Sequence, residues 1–383
     1  MSSEYAELFP KLPDALGFRA EHALLVQEAR RFLAERCPFA HVRALAEDPL
    51  GHDPTLWREL GRMGWFGLLA PERWGGADLG HLALALLLEE TGRALLPAPL
   101  FAQTLATWLL ATGESNPQHE HFGTALVSGE LSASLACEAP GAFGDGTPTA
   151  TPIARNSGFA LRGRFNHVLA GNQADLLIAP FRTENGKLDI FCIQLESRGV
   201  EREAEISIDP TRRTAHVLLN NVHVDAGARL PVEGETLWST FTLRAAALLA
   251  AETVGVADAV LARTCDYVKQ RVQFEKPIGA FQAVKHPLVD LLVGIELTRN
   301  CTLAAVAALD SDLEGAEVPV HMAKALASEV GVEAGRCGVQ LHGGYGFTWD
   351  CDAHFYLKRA LANRALFGDA YYHRRFLANR LLD

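Results

Sequence analysis

Arg271 opens the stretch RVQFEKPIGAFQAVKH, residues 271–286. It stands at the expected end of a long helix, a Pro/Gly turn follows, and Phe281 and Gln282 begin the next helix. A guanidinium fork bonds two oxygens at once, so this placement suits a diphosphate. The same cation would also offset the negative end of the helix dipole. A second stretch, GVQLHGGYGFTWDCDAHFYLKRA at 338–360, sets Gln340 before Gly343, Gly344 and Gly346. These glycines let a backbone approach a ligand and offer N–H groups to an anion; a Gly-rich helix stop is the alternative. A helix precedes them, so they are not the strand-to-helix dinucleotide fingerprint. A third stretch, LFGDAYYHR at 366–374, places one acid, Asp369, between an apolar approach and a basic, aromatic exit. Asp369 is either a catalytic base or the N-cap of a last helix that carries Arg374, Arg375 and Arg380 towards its other end. His342, His354 and His373 share no metal-ligand spacing, and no metal site is expected.

The elements that must hold these residues fall into three regimes. Residues 1–127 are expected to form an N-terminal helical domain. EHALLVQEARRFLAERC puts Leu24, Leu25, Ala29, Phe32 and Leu33 on one stripe, and Pro97 and Pro99 separate two later helices. Residues 128–232 read as short strands of alternating or β-branched character, with Asn185-Gly186 marking a tight hairpin. They suit a small antiparallel sandwich or barrel. Residues 233–383 return to helix. Trp238 to Arg271 contains no Pro and would span about 50 Å at the helical rise per residue. Such a helix cannot bury its apolar face alone, so a C-terminal four-helix bundle is expected. The fold class is α+β.

Composition narrows the partners. The 383 residues carry a formal charge of −11, which argues against a phosphate-backbone binder and so against nucleic acid. Seven cysteines are scattered without a C-x-x-C pair, as expected of reduced thiols in a cytoplasmic protein. MSSEYAELFP lacks the basic-then-apolar order of a signal peptide. The richest apolar stretch, LRAAALLAAETVG, carries Arg244 and Glu252, so no membrane span is expected.

Together, the R-x-Q-F…P-I-G-x-F-Q stretch and the later Q-L-H-G-G-x-G stretch resemble the acyl-CoA dehydrogenase family. The resemblance covers nearly the whole chain. GLLAPERWGGADLG is similar to the family's N-terminal loop, LACEAPGAFGDG to a degraded T-E-P-x-x-G-S-D flavin loop, and LRGRFNHVLAGNQADLLI to the strand pair that follows. GFTWDCDAHFYLKRA is most similar to a branch acting on bulky or steroid-derived CoA thioesters. The resemblance implies FAD as cofactor, an acyl-CoA substrate, an electron-transfer flavoprotein or similar acceptor, and a tetramer. Arg271, Gln273 and Phe274 match positions that hold the FAD diphosphate and adenosine of a neighbouring subunit. Gln282 matches a position near the adenine, and Gln340, Gly343 and Gly344 match the other donated strip. Glu275 stands where the family usually has Gly. On the isoalloxazine side Cys137 replaces the flavin-loop Thr, although Glu138 is kept, and His167 and Leu169 replace the Trp and Thr beside the ring.

Family members desaturate an acyl-CoA: a carboxylate removes the proton α to the thioester and flavin takes hydride from the β carbon. The base is usually a Glu in one of two places. The first falls on Gly368 here, one residue before Asp369; the second falls on Ala245, beside Arg244. Asp369 and Glu252 are the substitutes at hand, the latter seven residues beyond Ala245 on the same helix face; a core-paired or solvated role is the alternative for Glu252. Phe347 and Trp349 are expected at the bundle edge, with Trp349 also able to border a substrate channel. Three readings follow: an active FAD-dependent dehydrogenase of a bulky acyl-CoA, working as a homotetramer; a base-less subunit of an α2β2 heterotetramer that lends its strips to flavin in a catalytic partner; or a flavin oxidase or monooxygenase of the same fold.

Overall fold

The computed structural model describes residues 14–113, 116–136, 148–153 and 158–382. Two compact units divide the chain. One comprises Met1–Ala44, His81–Leu96 and Leu243–Asp383; the other comprises Leu45–Gly80 and Pro97–Thr242. Helical, β and helical segments follow one another along the sequence, in an α+β fold.

The second unit holds α3 (Pro54–Arg62), α5 (Leu100–Ala111), α6 (Pro117–Ser128) and a curled sheet. Asp53 caps α3 by accepting from the N–H groups of Thr55 and Leu56, and Asn116 caps α6 through His119. These side chains satisfy donors that the first helical turn leaves unpaired. The sheet contains β1 (Ala133–Leu135), β2 (Thr149–Pro152), β3 (Phe159–Leu169), β4 (Leu176–Thr183), β5 (Leu188–Gln194), β6 (Val200–Glu205) and β7 (Thr214–Val224). Its order is β1-β4-β2-β3-β7-β6, with β5 also paired to β4. Most pairings are antiparallel, but β4 takes β1 and β2 in parallel. The β4–β5 hairpin closes at Asn185-Gly186, where Gly186 has φ +73° and donates to Thr183 at 2.8 Å. Phe165, Phe181 and Phe191 stack edge to face in the core, with centroids 5.4 and 5.5 Å apart.

The first unit is built on α7 (Gly234–Gln270), whose last 28 residues belong to it. Around α7 lie α1 (Ala20–Arg36), α2 (Phe39–Glu47, as far as Ala44), α4 (Gly80–Arg93), α8 (Gln282–Asp310), α9 (Glu317–Leu341), α10 (Ala353–Ala365) and α11 (Ala370–Leu382). A two-strand ribbon, β8 (Val272–Gln273) and β9 (Lys276–Pro277), joins α7 to α8. Helices α7 and α8 are long and apolar enough to cross a membrane by length and composition, but 89% of the apolar window of α7 is buried within the protein, as in a core helix. Its sequence is apolar nearly all round because neighbours cover it nearly all round.

At the crossing of α4 and α7 the backbones nearly touch. A Cβ on Gly255 would lie 1.8 Å from the Glu89 carbonyl oxygen, and one on Gly92 would lie 2.1 Å from that of Glu252. Gly255→Ala must therefore push two helices apart and should cost about 1–3 kcal/mol, read from urea unfolding; a cost below about 0.5 kcal/mol would show that this crossing yields freely.

Candidate functional site

The end of α7 and the end of α9 are fastened together. The Tyr267 ring stacks on His342 with centroids 4.3 Å apart and planes at 25°. His342 Nδ1 is held in turn by the Gly338 carbonyl at 2.7 Å. Arg271 follows Tyr267 by one turn, and Gly343 follows His342 directly, so one stack places the two predicted strips side by side. Sequence reading missed Tyr267; its spacing to Arg271 was the available signal.

Both strips face outward. Arg271, Gln273, Phe274, Gln282, Gln340, Gly343 and Gly344 are all exposed. The Arg271 guanidinium has no hydrogen bond or ion pair among the described residues, and nothing lies within 4 Å of where a Cβ on Gly343 or Gly344 would stand. Phe274 is 87% exposed and meets Phe281 edge to face at 6.2 Å. Phe274 and Glu275 form the ribbon turn with φ +50° and +65°. That left-handed geometry is the physical reason a glycine suits position 275. The arrangement offers a cation, amides and an aromatic face to a phosphorylated, ring-bearing group.

The other predicted flavin contacts lie in the sheet unit. Cys137 and Glu138 fall outside the described residues. A bulge between Phe165 and Val168 turns out His167, which has φ +53°. His167 is exposed and its Nδ1 meets Glu205 Oε1 at 2.7 Å. Leu169 is buried.

The candidate acids are each engaged. Gly368 has φ +96°, and a Cβ there would come within 2.5 Å of Tyr372 Cδ1. Asp369 is exposed and caps α11, accepting from Tyr372 N–H at 2.9 Å. Ala245 is fully buried, and Arg244 pairs with Asp312 at 3.4 Å. Glu252 is buried and accepts from the Arg359 guanidinium at 2.7 Å; Arg359 is buried too. Phe347 is 81% exposed, and Trp349 lies under the Lys358 ammonium at 4.9 Å. No group of three or more metal-ligating side chains occurs among the described residues.

Beneath the Gly368 loop lies a cluster that sequence reading did not assemble. Lys324 is buried on α9 and reaches the Gly368 carbonyl at 2.9 Å. His373 Nε2 lies 3.1 Å from the Phe367 carbonyl, and its Nδ1 is 2.8 Å from His321 Nδ1. Burial lowers His321 to a pKa of about 4. Burial, then the nearby Lys324 charge and His321, lower His373 to about 3. The spacing of His321, Lys324 and Ser328 along one face of an apolar helix was the signal available.

Residues 19–130 match the model of the acyl-CoA dehydrogenase N-terminal domain, and residues 234–382 that of the C-terminal domain. The chain is 33% identical to acyl-CoA dehydrogenase IpdE2 of Mycobacterium tuberculosis over 345 residues, 89% of this chain and 91% of that protein. The chain belongs to the acyl-CoA dehydrogenase family. Acyl-CoA dehydrogenases are flavoproteins, and FAD is the cofactor. Among solved structures, the ChsE4-ChsE5 complex from Mycobacterium tuberculosis matches with a TM-score of 0.89 at 26% identity, covering 96% of this chain and 99% of the other. A variant of the steroid ACAD Tcur3481-Tcur3483 matches with a TM-score of 0.84 at 29% identity, covering 94% and 97%.

Two outcomes follow from the buried groups. Glu252→Gln removes the carboxylate charge that faces the buried Arg359 guanidinium and should destabilise the protein by about 3–5 kcal/mol, whereas Glu252→Leu with Arg359→Met should cost far less; a denaturant double-mutant cycle reads both. Loss of turnover with unchanged stability would instead restore Glu252 as a base. For pH, His321 and His373 stay neutral when folded but bind protons below about 6.5 when unfolded. The unfolded state thus takes up more protons, and stability falls as pH drops from about 6.5 towards 4, by up to about 1.4 kcal/mol per pH unit for each imidazole. Melting temperatures between pH 7.5 and 4.5 test this, with a smaller drop expected in His373→Gln.

Proposed function

We propose that this chain is the base-less subunit of a heteromeric, FAD-dependent acyl-CoA dehydrogenase acting on a bulky, steroid-type CoA thioester. One observation carries the reading: the strip at Arg271 and Gly343–Gly344 is open, while the family's two base positions hold Gly368 and Ala245. At Gly368 the left-handed backbone and Tyr372 leave no room for a glutamate side chain. Ala245 is apolar and covered, and Glu252 neutralises Arg359. Asp369 is spent on the cap of α11, with one carboxylate oxygen on the Tyr372 amide.

The exposed residues fit the FAD of a neighbouring subunit. Arg271 would meet the diphosphate with Gln273 beside it. Phe274 and Gln282 would border the adenosine, and Gln340, Gly343 and Gly344 would close the other side with backbone N–H groups. When bound, FAD supplies the hydride acceptor for the β carbon. This chain's part is to orient and hold the group, and the base comes from the partner. The His167–Glu205 pair supports the same division, since a side chain engaged with a carboxylate replaces the family's Trp beside the ring. The steroid-type substrate rests on likeness to the Tcur3481-Tcur3483 and ChsE4-ChsE5 structures, and the second of these, a complex of two named chains, supports an α2β2 partner. An electron-transfer flavoprotein is the acceptor proposed. Six unpaired cysteines among the described residues support a cytoplasmic setting.

The competing reading is a self-sufficient homotetramer with Asp369 as base, and the exposure of Asp369 favours it. Expression of the chain alone decides. The base-less reading expects a colourless protein that gains flavin absorbance only with a co-expressed homologous partner. Bound flavin that bleaches with an acyl-CoA would overturn it. In the assembled enzyme, Asp369→Asn should keep turnover within about threefold, a change of less than 1 kcal/mol, whereas Arg271→Ala should weaken FAD retention by about 1–3 kcal/mol.

A further inference from the structure

Lys324 is 1% exposed, and no step above uses it. Its Nζ has four acceptors: Ser328 Oγ at 3.1 Å and the carbonyls of Asn363 at 3.2 Å, Arg364 at 3.4 Å and Gly368 at 2.9 Å. Asn363 and Arg364 lie in the last turn of α10, whose final carbonyls lack N–H partners within the helix. Gly368 belongs to the loop that follows, where Phe367 has φ +56° and Gly368 +96°. A single side chain thus supplies the donors that the backbone lacks on both sides of the break. His373 holds the preceding carbonyl, that of Phe367. Two successive loop carbonyls are therefore gripped from inside the protein.

We propose that Lys324 is the positioning residue of the loop Leu366–Asp369, tying Gly368 to the end of α10 and so controlling the opening of this loop.

Protons are linked to the tie. Burial lowers the Lys324 pKa to about 7; Asp369 in the loop raises it and Arg364 on α10 lowers it. The other titratable neighbours are His373 on α11 and His321 on α9 itself, both neutral from pH 7 upwards. As a neutral amine, Lys324 keeps two N–H groups to donate among these acceptors, while the Ser328 hydroxyl donates to the Lys324 backbone carbonyl at 2.8 Å. The loop covers Nζ, so opening returns the amine to water, where it titrates near 10.4. Opening therefore takes up a proton between about pH 7 and 10. It is favoured as pH falls through that window and pH-independent below it.

Hydrogen exchange of the assembled holoenzyme between pH 6 and 9.5, corrected for intrinsic rates, tests this. The wild-type opening constant for residues 365–370 should drop by up to about tenfold per pH unit above pH 7 and stay flat below. Lys324→Met should raise it and remove the slope while α9 beyond Ser328 stays protected. His373→Gln should raise it and keep the slope. A pH-independent loop in the wild type overturns the proposal, and so does a Lys324→Met protein that loosens α9 and the loop equally. If Lys324→Met does not fold, the wild-type series and His373→Gln decide.

Discussion

A charge taken out of water must meet a partner at hydrogen-bond distance, and the helical unit built on α7 contains several such charges. Arg359 and Glu252 are both buried and face each other at 2.7 Å. Lys324 is buried under the carbonyls of α10 and the Gly368 loop. Glu90, also buried, takes Arg30 at 2.6 Å. The apolar surface of α7 is largely Ala, Val and Leu, which supplies cohesion without direction. The ion pairs and the amine supply direction, since a slip of one turn would strand each of them at a cost of several kcal/mol. The register of α7, α9 and α10 depends on that constraint.

The same constraint sorts the acids of this unit by what they can do. A general base has to be free to take a proton from a substrate. Glu252 is not free, because it balances Arg359. Asp369 is tied to the first turn of α11. The open groups are instead a cation, amides and an aromatic side chain at the ends of α7 and α9. A free cation beside acids that serve the fold is consistent with the shared site proposed above.

Much of this was legible in the amino-acid order. The succession of helical, β and helical segments follows from the change in apolar period, which local sterics impose. Asn185-Gly186 marked its hairpin because a glycine accepts the positive φ required there. Asp369 could be read as a cap because capping is a contact between near neighbours. The parallel pairing of β1 and β2 with β4 was not legible, since parallel neighbours are joined by long connections and leave no local turn signature. Nor was the Lys324 cluster, whose members come from α9, the end of α10, the next loop and α11.

By itself the sequence determined the family and the succession of elements, because these depend on short-range pattern and on side-chain type. It left Glu252 with two possible roles. Only the tertiary structure decided between them, by bringing Arg359 from 107 positions away to within 2.7 Å of its carboxylate. The energy of a buried charge depends on what packing places beside it, and that distance is not written in the spacing of residues along the chain.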